Sequence, residues 1–368
     1  MNNYAIIMAG GVGTRFWPYG TSKMPKQFLD IENNHETMIQ KTVKRLENLI
    51  SPKKTYIITN VAYKAIIKKQ LPQIPEDNVI LEPFGRNTAP CIGLTCLYIK
   101  QFDPKANVFV APSDHIIHDT AEFQRVVRGG LKFVNKNGGI VTLGIHPTKP
   151  ETGYGYIQYD SDKINEVEFE EEGKKVLQQV YKVKTFAEKP NLEVAKMFLE
   201  SGDFLWNSGM FIFRVDTLME EIENYLPDLN FALKPLEDKL YTNDFPKQLE
   251  MTYSQIKGIS IDYGVMEKSK QVYIIRSFFD WSDVGSWDEI YNLRKKDKNG
   301  NVTQGKAVLI NSKNCIIMNH QRISAVVGCE DLIIIDTDNG LLVCKKGESQ
   351  NVREVVDYLR RKGLEQYL

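Results

Sequence analysis

Through the first 145 residues, short apolar runs alternate with stretches whose apolar positions recur at helical spacing. The runs at 4–8, 55–59, 78–81, 108–111 and 139–144 read as buried strands, and 37–50, 61–71, 89–102 and 121–135 as the helices between them. Thr88, ahead of Ala89-Pro90, suits an N-cap with proline in the first turn, where a missing N–H is harmless. Such alternation predicts right-handed βαβ units and an α/β fold: a Rossmann-like mixed, mainly parallel sheet flanked by helices.

From 153 to about 287 the pattern is mixed. Strands are expected at 154–159, 176–186 and 210–214, with a highly charged excursion at 160–175 expected to be a solvated hairpin loop. Helices are expected after Asn191 and Asp216, both good caps. Residues 294–301, dense in charge and turn formers, read as a linker. Beyond it, β-like runs at 306–311, 315–318, 323–327, 332–336 and 341–344 predict a small C-terminal β module, and Val352, Val355, Val356 and Leu359 mark an amphipathic terminal helix. Two domains are therefore expected, 1–293 and 302–368, without a strict internal repeat.

Composition narrows the partners. Forty-seven basic residues balance 47 acidic ones in 368, so no global field favours nucleic acid and any polyanion site must gather its cations locally. The five cysteines, odd in number and without metal-ligand spacing, suggest reduced thiols. The N-terminal apolar run is too short for a signal peptide or a membrane span, so no membrane partner and a cytoplasmic location are expected.

The local cations stand at 4–29, a segment without an acidic residue. Gly10, Gly11 and Gly13 follow the first strand and let backbone N–H groups approach an anion, while Arg15, Lys23 and Lys26 supply charge. A dinucleotide fingerprint needs glycine where Phe16 stands, and a Walker loop needs Gly-Lys-Ser/Thr, so neither applies. Ser113 and Asp114 lie at the carboxyl end of a predicted central strand, where open α/β sheets place ligand crevices, and Asp283 follows another apolar run. Each aspartate reads equally as a turn or cap residue; two suffice for Mg²⁺, whose shell is completed by phosphate and water.

Gly10-Gly11-Val12-Gly13-Thr14-Arg15-Phe16-Trp17-Pro18, with Ser22-Lys23-Met24-Pro25-Lys26-Gln27-Phe28, closely resembles the signature loop of the sugar-1-phosphate nucleotidyltransferases in its mannose-1-phosphate guanylyltransferase form. The resemblance continues through Glu82–Pro90, the Asp114 and Asp283 segments, Glu151–Tyr156, Phe186-Ala187-Glu188-Lys189-Pro190 (with Ala187 where valine is usual) and Trp206–Gly209, in order. It implies a nucleotidyltransferase fold with a β-helix-like module, and transfer of GMP from GTP to α-mannose 1-phosphate. It implies that Lys26 and Arg15 are catalytic, and that Asp114 and Asp283 are catalytic residues that hold Mg²⁺. It implies that Gly10, Gly11, Gly13, Thr14, Arg86, Asn87, Thr88 and Ser113 contact the nucleotide, and Gly153, Glu188, Lys189 and Asn207 the sugar phosphate. In 260–267, Asp262 either supports the sugar pocket or caps a helix, and His115 is structural.

The resemblance also implies a homodimer built by the β module and terminal helix. Longer members append an isomerase domain, so no phosphomannose isomerase activity is expected of these 368 residues. The alternatives are a nucleotidyltransferase for another sugar 1-phosphate or nucleotide, and a non-catalytic relative that binds a sugar nucleotide.

Overall fold

Asn3–Ala9 forms the first strand (β1) of a sheet whose members are the apolar runs of the sequence. The structure, a computed structural model, describes residues 2–11, 13–171 and 173–368; Val12 of the glycine loop and Glu172 of the charged excursion lie outside them. The chain divides into two compact units: Met1–Gly10, Val43–Pro112 and Ile117–Trp281 form one, and Gly11–Thr42, Ser113–Ile116 and Ser282–Leu368 the other.

The first unit holds a nine-stranded sheet. After β1 come β2 (Thr55–Asn60), β3 (Val79–Glu82), β4 (Asn107–Pro112), β5 (Ile140–Ile145), β6 (Tyr156–Glu171), β7 (Lys174–Ala187), β8 (Phe204–Arg214) and β9 (Val272–Ser277). Their order is β3-β2-β1-β4-β8-β5-β9-β7-β6. The β1–β2, β1–β4, β2–β3 and β5–β9 ladders are parallel, while β8 runs against β4, β5 and β6, and β7 against β6 and β9. Only β7 and β8 thus oppose the common direction, giving the mixed, mainly parallel sheet expected.

Side-chain alternation builds a layer on each face. Tyr4, Ile6, Val108 and Val110 pack with the helix Thr88–Lys100 and its neighbours, whereas Phe109 meets Phe123 of the helix Thr120–Asn137 edge to face at 5.8 Å.

The charged excursion is not a loop. Residues 160–171 continue β6 and pair antiparallel with β7, from Ile164↔Tyr181 to Glu171↔Lys174. Val167 and Phe169 are buried while Glu166, Glu168 and Glu170 alternate with them toward solvent, and Arg128 pairs with Glu171 at 2.7 Å. Charge density masked a period-2 strand.

Two caps also differ from expectation. Asn87, at φ 69°, caps its helix by accepting from Thr88 N at 2.8 Å, and Thr88 Oγ1 instead accepts from Ile261 N at 2.8 Å. The helix Val215–Tyr225 begins before Asp216, whose carboxylate pairs with Arg214.

In the second unit, β10 (Val302–Gln304), β12 (Ile316–Asn319) and β14 (Leu332–Thr337) pair in parallel, β15 (Gly340–Lys345) closes that sheet antiparallel, and β11 (Ala307–Ile310) pairs with β13 (Ser324–Val327) in a second. From β10 to β14 successive strands alternate between the sheets, so each parallel crossover is itself a strand: a short β-solenoid with Cys315, Ile317 and Val326 inside. On the opposite face of the same strands, Ile316 and Ile333 share one core with Phe16 and Trp17, with Val284 and Trp287, and with Val352 and Val356 of the terminal helix α1 (Val352–Arg361). The expected linker starts inside this core, for Arg294 is buried and donates through Nε to Ile31 O at 2.8 Å. Its guanidinium, read as linker charge, is a structural tie.

Candidate active site

In the second unit the glycine loop closes directly on Lys26. Gly13 sits at φ 58°, and a Cβ there would lie 2.8 Å from Lys26 Cβ and 2.9 Å from its backbone nitrogen, so no side chain fits. Gln27 Nε2 donates to Gly11 O at 3.0 Å and fixes the loop's other limb. Lys26 is buried, and its Nζ donates to Asp114 Oδ2 at 3.0 Å and to the backbone oxygen of Asp283. Asp114 is displaced in opposite directions by burial, which raises its pKa, and by the Lys26 and His115 charges with hydrogen bonds from Lys26 and the backbone, which win and hold it below the usual carboxylate value.

The loop around Asp283 is held under strain. Val284, fully buried, adopts φ 46°, a region β-branched residues avoid. Ser282 Oγ accepts from Val284 N at 3.0 Å, and the Glu289 carboxylate accepts from Gly285 N. Gly285 brings Asp283 and Arg15 together, its Cβ position being 3.6 Å from Asp283 Oδ1 and 3.6 Å from Arg15 NH1. Gly13, Thr14, Arg15, Lys26, Asp114 and Asp283 line one cavity of about 420 Å³, and buried Ser113 precedes Asp114.

Among the described residues no three His, Cys, Asp or Glu side chains are grouped to hold a metal by themselves. The Lys26 ammonium already sits as a cation against the Asp114 carboxylate and the Asp283 carbonyl, both aspartates line the one cavity, and their carboxylates with phosphate and water are the oxygen donors that Mg²⁺ takes. The donor set fits such an ion.

In the first unit Gly153, Glu188, Lys189 and Asn207, expected from the sequence as sugar-phosphate contacts, lie near β8, which is bent at Asn207. A register shift between Thr142 and Gly144 of β5 falls opposite Asn207, with Gly209 at φ 68°. Asn207 Nδ2 donates to Asp262 Oδ1 at 2.7 Å and its Oδ1 accepts from Gly209 N at 3.0 Å, so both ends of the amide are fixed. Asp262 is the first residue of a one-turn π-helix, Asp262–Met266, whose N-cap residue, Ile261, gives no side-chain cap, and the Asp262 carboxylate holds Asn207. Burial raises its pKa, the Asn207 bond opposes this, and the Glu188 charge adds to it.

Glu188 Oε2 lies 2.6 Å from the position a Gly155 Cβ would take, so this glycine admits the carboxylate, and Lys189 Nζ pairs with Glu188 Oε1 at 2.7 Å. Lys189 is exposed and held at φ 46°. Gly153 is exposed two residues before Gly155, its N–H donating to Glu151 Oε1 at 3.1 Å.

The 82–90 turn is tied down by its own residues. Arg86 donates through Nε to Tyr253 O at 2.7 Å and stacks on Phe84 with 5.5 Å to the ring centre, so its guanidinium braces the turn. Glu82 is buried at the end of β3, accepts from Tyr253 OH at 3.1 Å, and has Oε2 3.7 Å from the position of a Gly10 Cβ. Burial lifts its carboxyl to about 7 against the Tyr253 bond. Sequence reasoning missed Glu82, Gln27, and the Arg353, Asp357 and Arg360 side chains that reach the Lys26 cavity. The amphipathic period of α1 was the one available signal for the last three.

Fold and site define an α/β protein with a cavity lined by paired cations and carboxylates and with a short β-solenoid. The family model described as Nucleotidyl transferase matches residues 4–300, and that of the MannoseP isomerase/GMP-like beta-helix domain matches 305–359. A mannose-1-phosphate guanylyltransferase of Escherichia coli is 35% identical over 372 residues, covering 98% of this chain and 76% of the relative. One of Salmonella montevideo is 37% identical over 358 residues, covering 96% and 73%. A crystal structure of mannose-1-phosphate geranyltransferase from Thermus thermophilus superimposes with a TM-score of 0.84 at 30% identity, covering 98% of this chain and 100% of that one. The chain belongs to the nucleotidyl transferase family and, within it, to the mannose-1-phosphate guanylyltransferases.

Proposed function

We propose that this chain transfers GMP from GTP to α-mannose 1-phosphate, giving GDP-mannose and pyrophosphate. The observation that carries the reading is Lys26, a buried ammonium held by the Asp114 carboxylate and the Asp283 carbonyl in a cavity that Arg15 also lines. The names of the Escherichia coli and Salmonella relatives supply the substrates. A phosphate oxygen of the sugar phosphate attacks the α-phosphorus, a new P–O bond forms, and the bond to the bridging oxygen breaks as pyrophosphate leaves with its electron pair. No nucleophilic side chain is required; positioning and charge stabilisation supply the catalysis.

In this reading Lys26 and Arg15 neutralise charge on the α-phosphate and the departing pyrophosphate. Gly10, Gly11, Gly13, Thr14, Arg86, Asn87, Thr88 and Ser113 are nucleotide contacts. Glu188 accepts from sugar hydroxyls, Lys189 holds the attacking phosphate, and Gly153 and Asn207 complete the sugar site. Asp114 and Asp283 would hold Mg²⁺, which supplies further neutralisation of phosphate charge when bound. Residues 1–293 act as the catalytic domain and 302–368 as the β module, in keeping with family matches over 4–300 and 305–359.

Pyrophosphate release is measured with Mg²⁺ and each of GTP, ATP, UTP and CTP, crossed with mannose 1-phosphate and glucose 1-phosphate. Release chiefly with GTP and mannose 1-phosphate is expected. Another preferred pair moves the specificity within the family, while sugar-nucleotide binding without release establishes a silent relative.

Association as a homodimer belongs to the same reading. It is supported by apolar side chains that the β module leaves exposed, among them Ile310, Ile323, Val327, Leu341 and Val343. Light scattering is expected to give twice 42.2 kDa; a particle of 42.2 kDa alone contradicts it. No described helix is long and apolar enough to cross a membrane, and five unpaired cysteines are in keeping with a cytoplasmic location, which cell fractionation checks.

A further inference from the structure

The terminal helix α1 anchors one face and offers another. Val352 and Val356 are buried, and with Leu359 they pack into the core that holds Phe16, Trp17 and Trp287. The segment after the helix is tied to the nucleotide loop, with Trp17 Nε1 donating to Tyr367 O at 2.7 Å and Ser22 Oγ to Leu368 O at 2.9 Å. Arg353, Asp357 and Arg360 recur at i, i+4 and i+7 on a second face and line the same cavity as Arg15, Lys26, Asp114 and Asp283.

The charge of that cavity shows what the helix adds. Arg15 and Lys26 are matched by Asp114 and Asp283, so these four side chains together offer a triphosphate no net positive charge. The helix contributes two guanidiniums and one carboxylate. Asp357 stands between them, 3.9 Å from Arg353 Nε and 3.8 Å from Arg360 NH1, both longer than a hydrogen bond. Arg353 is exposed and Asp357 and Arg360 are about half exposed, and such loose pairs hold little. Guanidiniums so placed are free to turn their planar forks onto phosphate oxygens, which bind them in pairs and more strongly than a distant carboxylate does.

We infer that Arg353 and Arg360 form a polyphosphate subsite, binding the β- and γ-phosphates of the nucleotide and the pyrophosphate that leaves. The subsite rests on the reading that the Lys26 cavity takes a nucleoside triphosphate. It belongs to the leaving group, so it acts on GTP and pyrophosphate and leaves mannose 1-phosphate untouched. Asp357 is the competing anion that the phosphates displace.

The test uses the full chain carrying R353A and R360A together, with inorganic pyrophosphate as the calorimetric probe and kinetics in both directions. About tenfold weaker pyrophosphate binding is expected, with matching rises in KM for GTP and, in reverse, for pyrophosphate. The KM for mannose 1-phosphate should stay within about twofold. R353K/R360K should recover part of the loss, since charge returns without the fork, and D357N should bind pyrophosphate two- to threefold more tightly. Both arginines face solvent, so an unchanged melting temperature accompanies these shifts; a folded double variant that binds pyrophosphate within twofold of wild type overturns the inference. Wild-type protein that binds neither GTP nor pyrophosphate overturns the nucleotide reading itself, a result distinct from the first.

Discussion

Lys26→Ala lowers kcat by about two to three orders of magnitude, the size seen when one preorganised group facing transition-state charge is removed from an enclosed site. The ammonium is buried and held by two acceptors from different segments, so little reorganisation precedes the reaction. At about 4 Å and an effective dielectric near 20, a unit pair is worth roughly 4 kcal/mol, enough for an effect of that size. Loss of the ammonium also leaves Asp114 without its partner, and a thermal melt read beside the kinetics separates that structural loss from the catalytic one. Activity within tenfold of wild type would falsify the role given to Lys26.

Much of this site was legible because glycines, cations and aspartates stand in short contiguous segments. The glycine turn, Lys26, Asp114, Glu188 and Asn207 stand out in the sequence, as do the strands before the glycine turn, before Asp114 and before Glu188, whereas the strand that carries Asn207 starts at Phe204 rather than at the expected 210. What escaped notice depends on separation in sequence. Asp262 and Asn207 each stand out in the sequence but their pairing, across 55 residues, does not, and Tyr253 meets Glu82 across 171. Neither pair has a local spacing to betray it.

Local errors had local causes. In 160–171, glutamates on the solvent side of a strand outweighed Val167 and Phe169 on the other. At 87–88, asparagine tolerates the left-handed backbone and took the cap from threonine. The helix period of 352–359 predicted its buried stripe, and what the polar stripe faces is a tertiary fact.

The pH dependence of stability is expected to carry the signature of Glu82, and E82Q isolates it. Burial at the end of β3 raises this carboxyl from an ordinary 4.5 to about 7, despite the hydrogen bond from Tyr253. Between those values the folded chain keeps a proton that the unfolded chain has released, so stability falls as pH rises through the window. Below the unfolded value both states are protonated and nothing is lost; above about 7 both are charged and the loss is complete. At about 1.4 kcal/mol per unit the full loss is roughly 3 kcal/mol. Glutamine keeps the shape and an acceptor for Tyr253 but cannot ionise, so E82Q should gain on wild type by that amount between pH 4.5 and pH 8, whatever constant offset the substitution brings. Urea unfolding of both proteins at pH 5 and pH 8 reads the difference directly. An offset that is the same at both pH values would mean that the carboxyl titrates as an exposed one does, and that the enclosure by Tyr253 and the Gly10 backbone opens in solution.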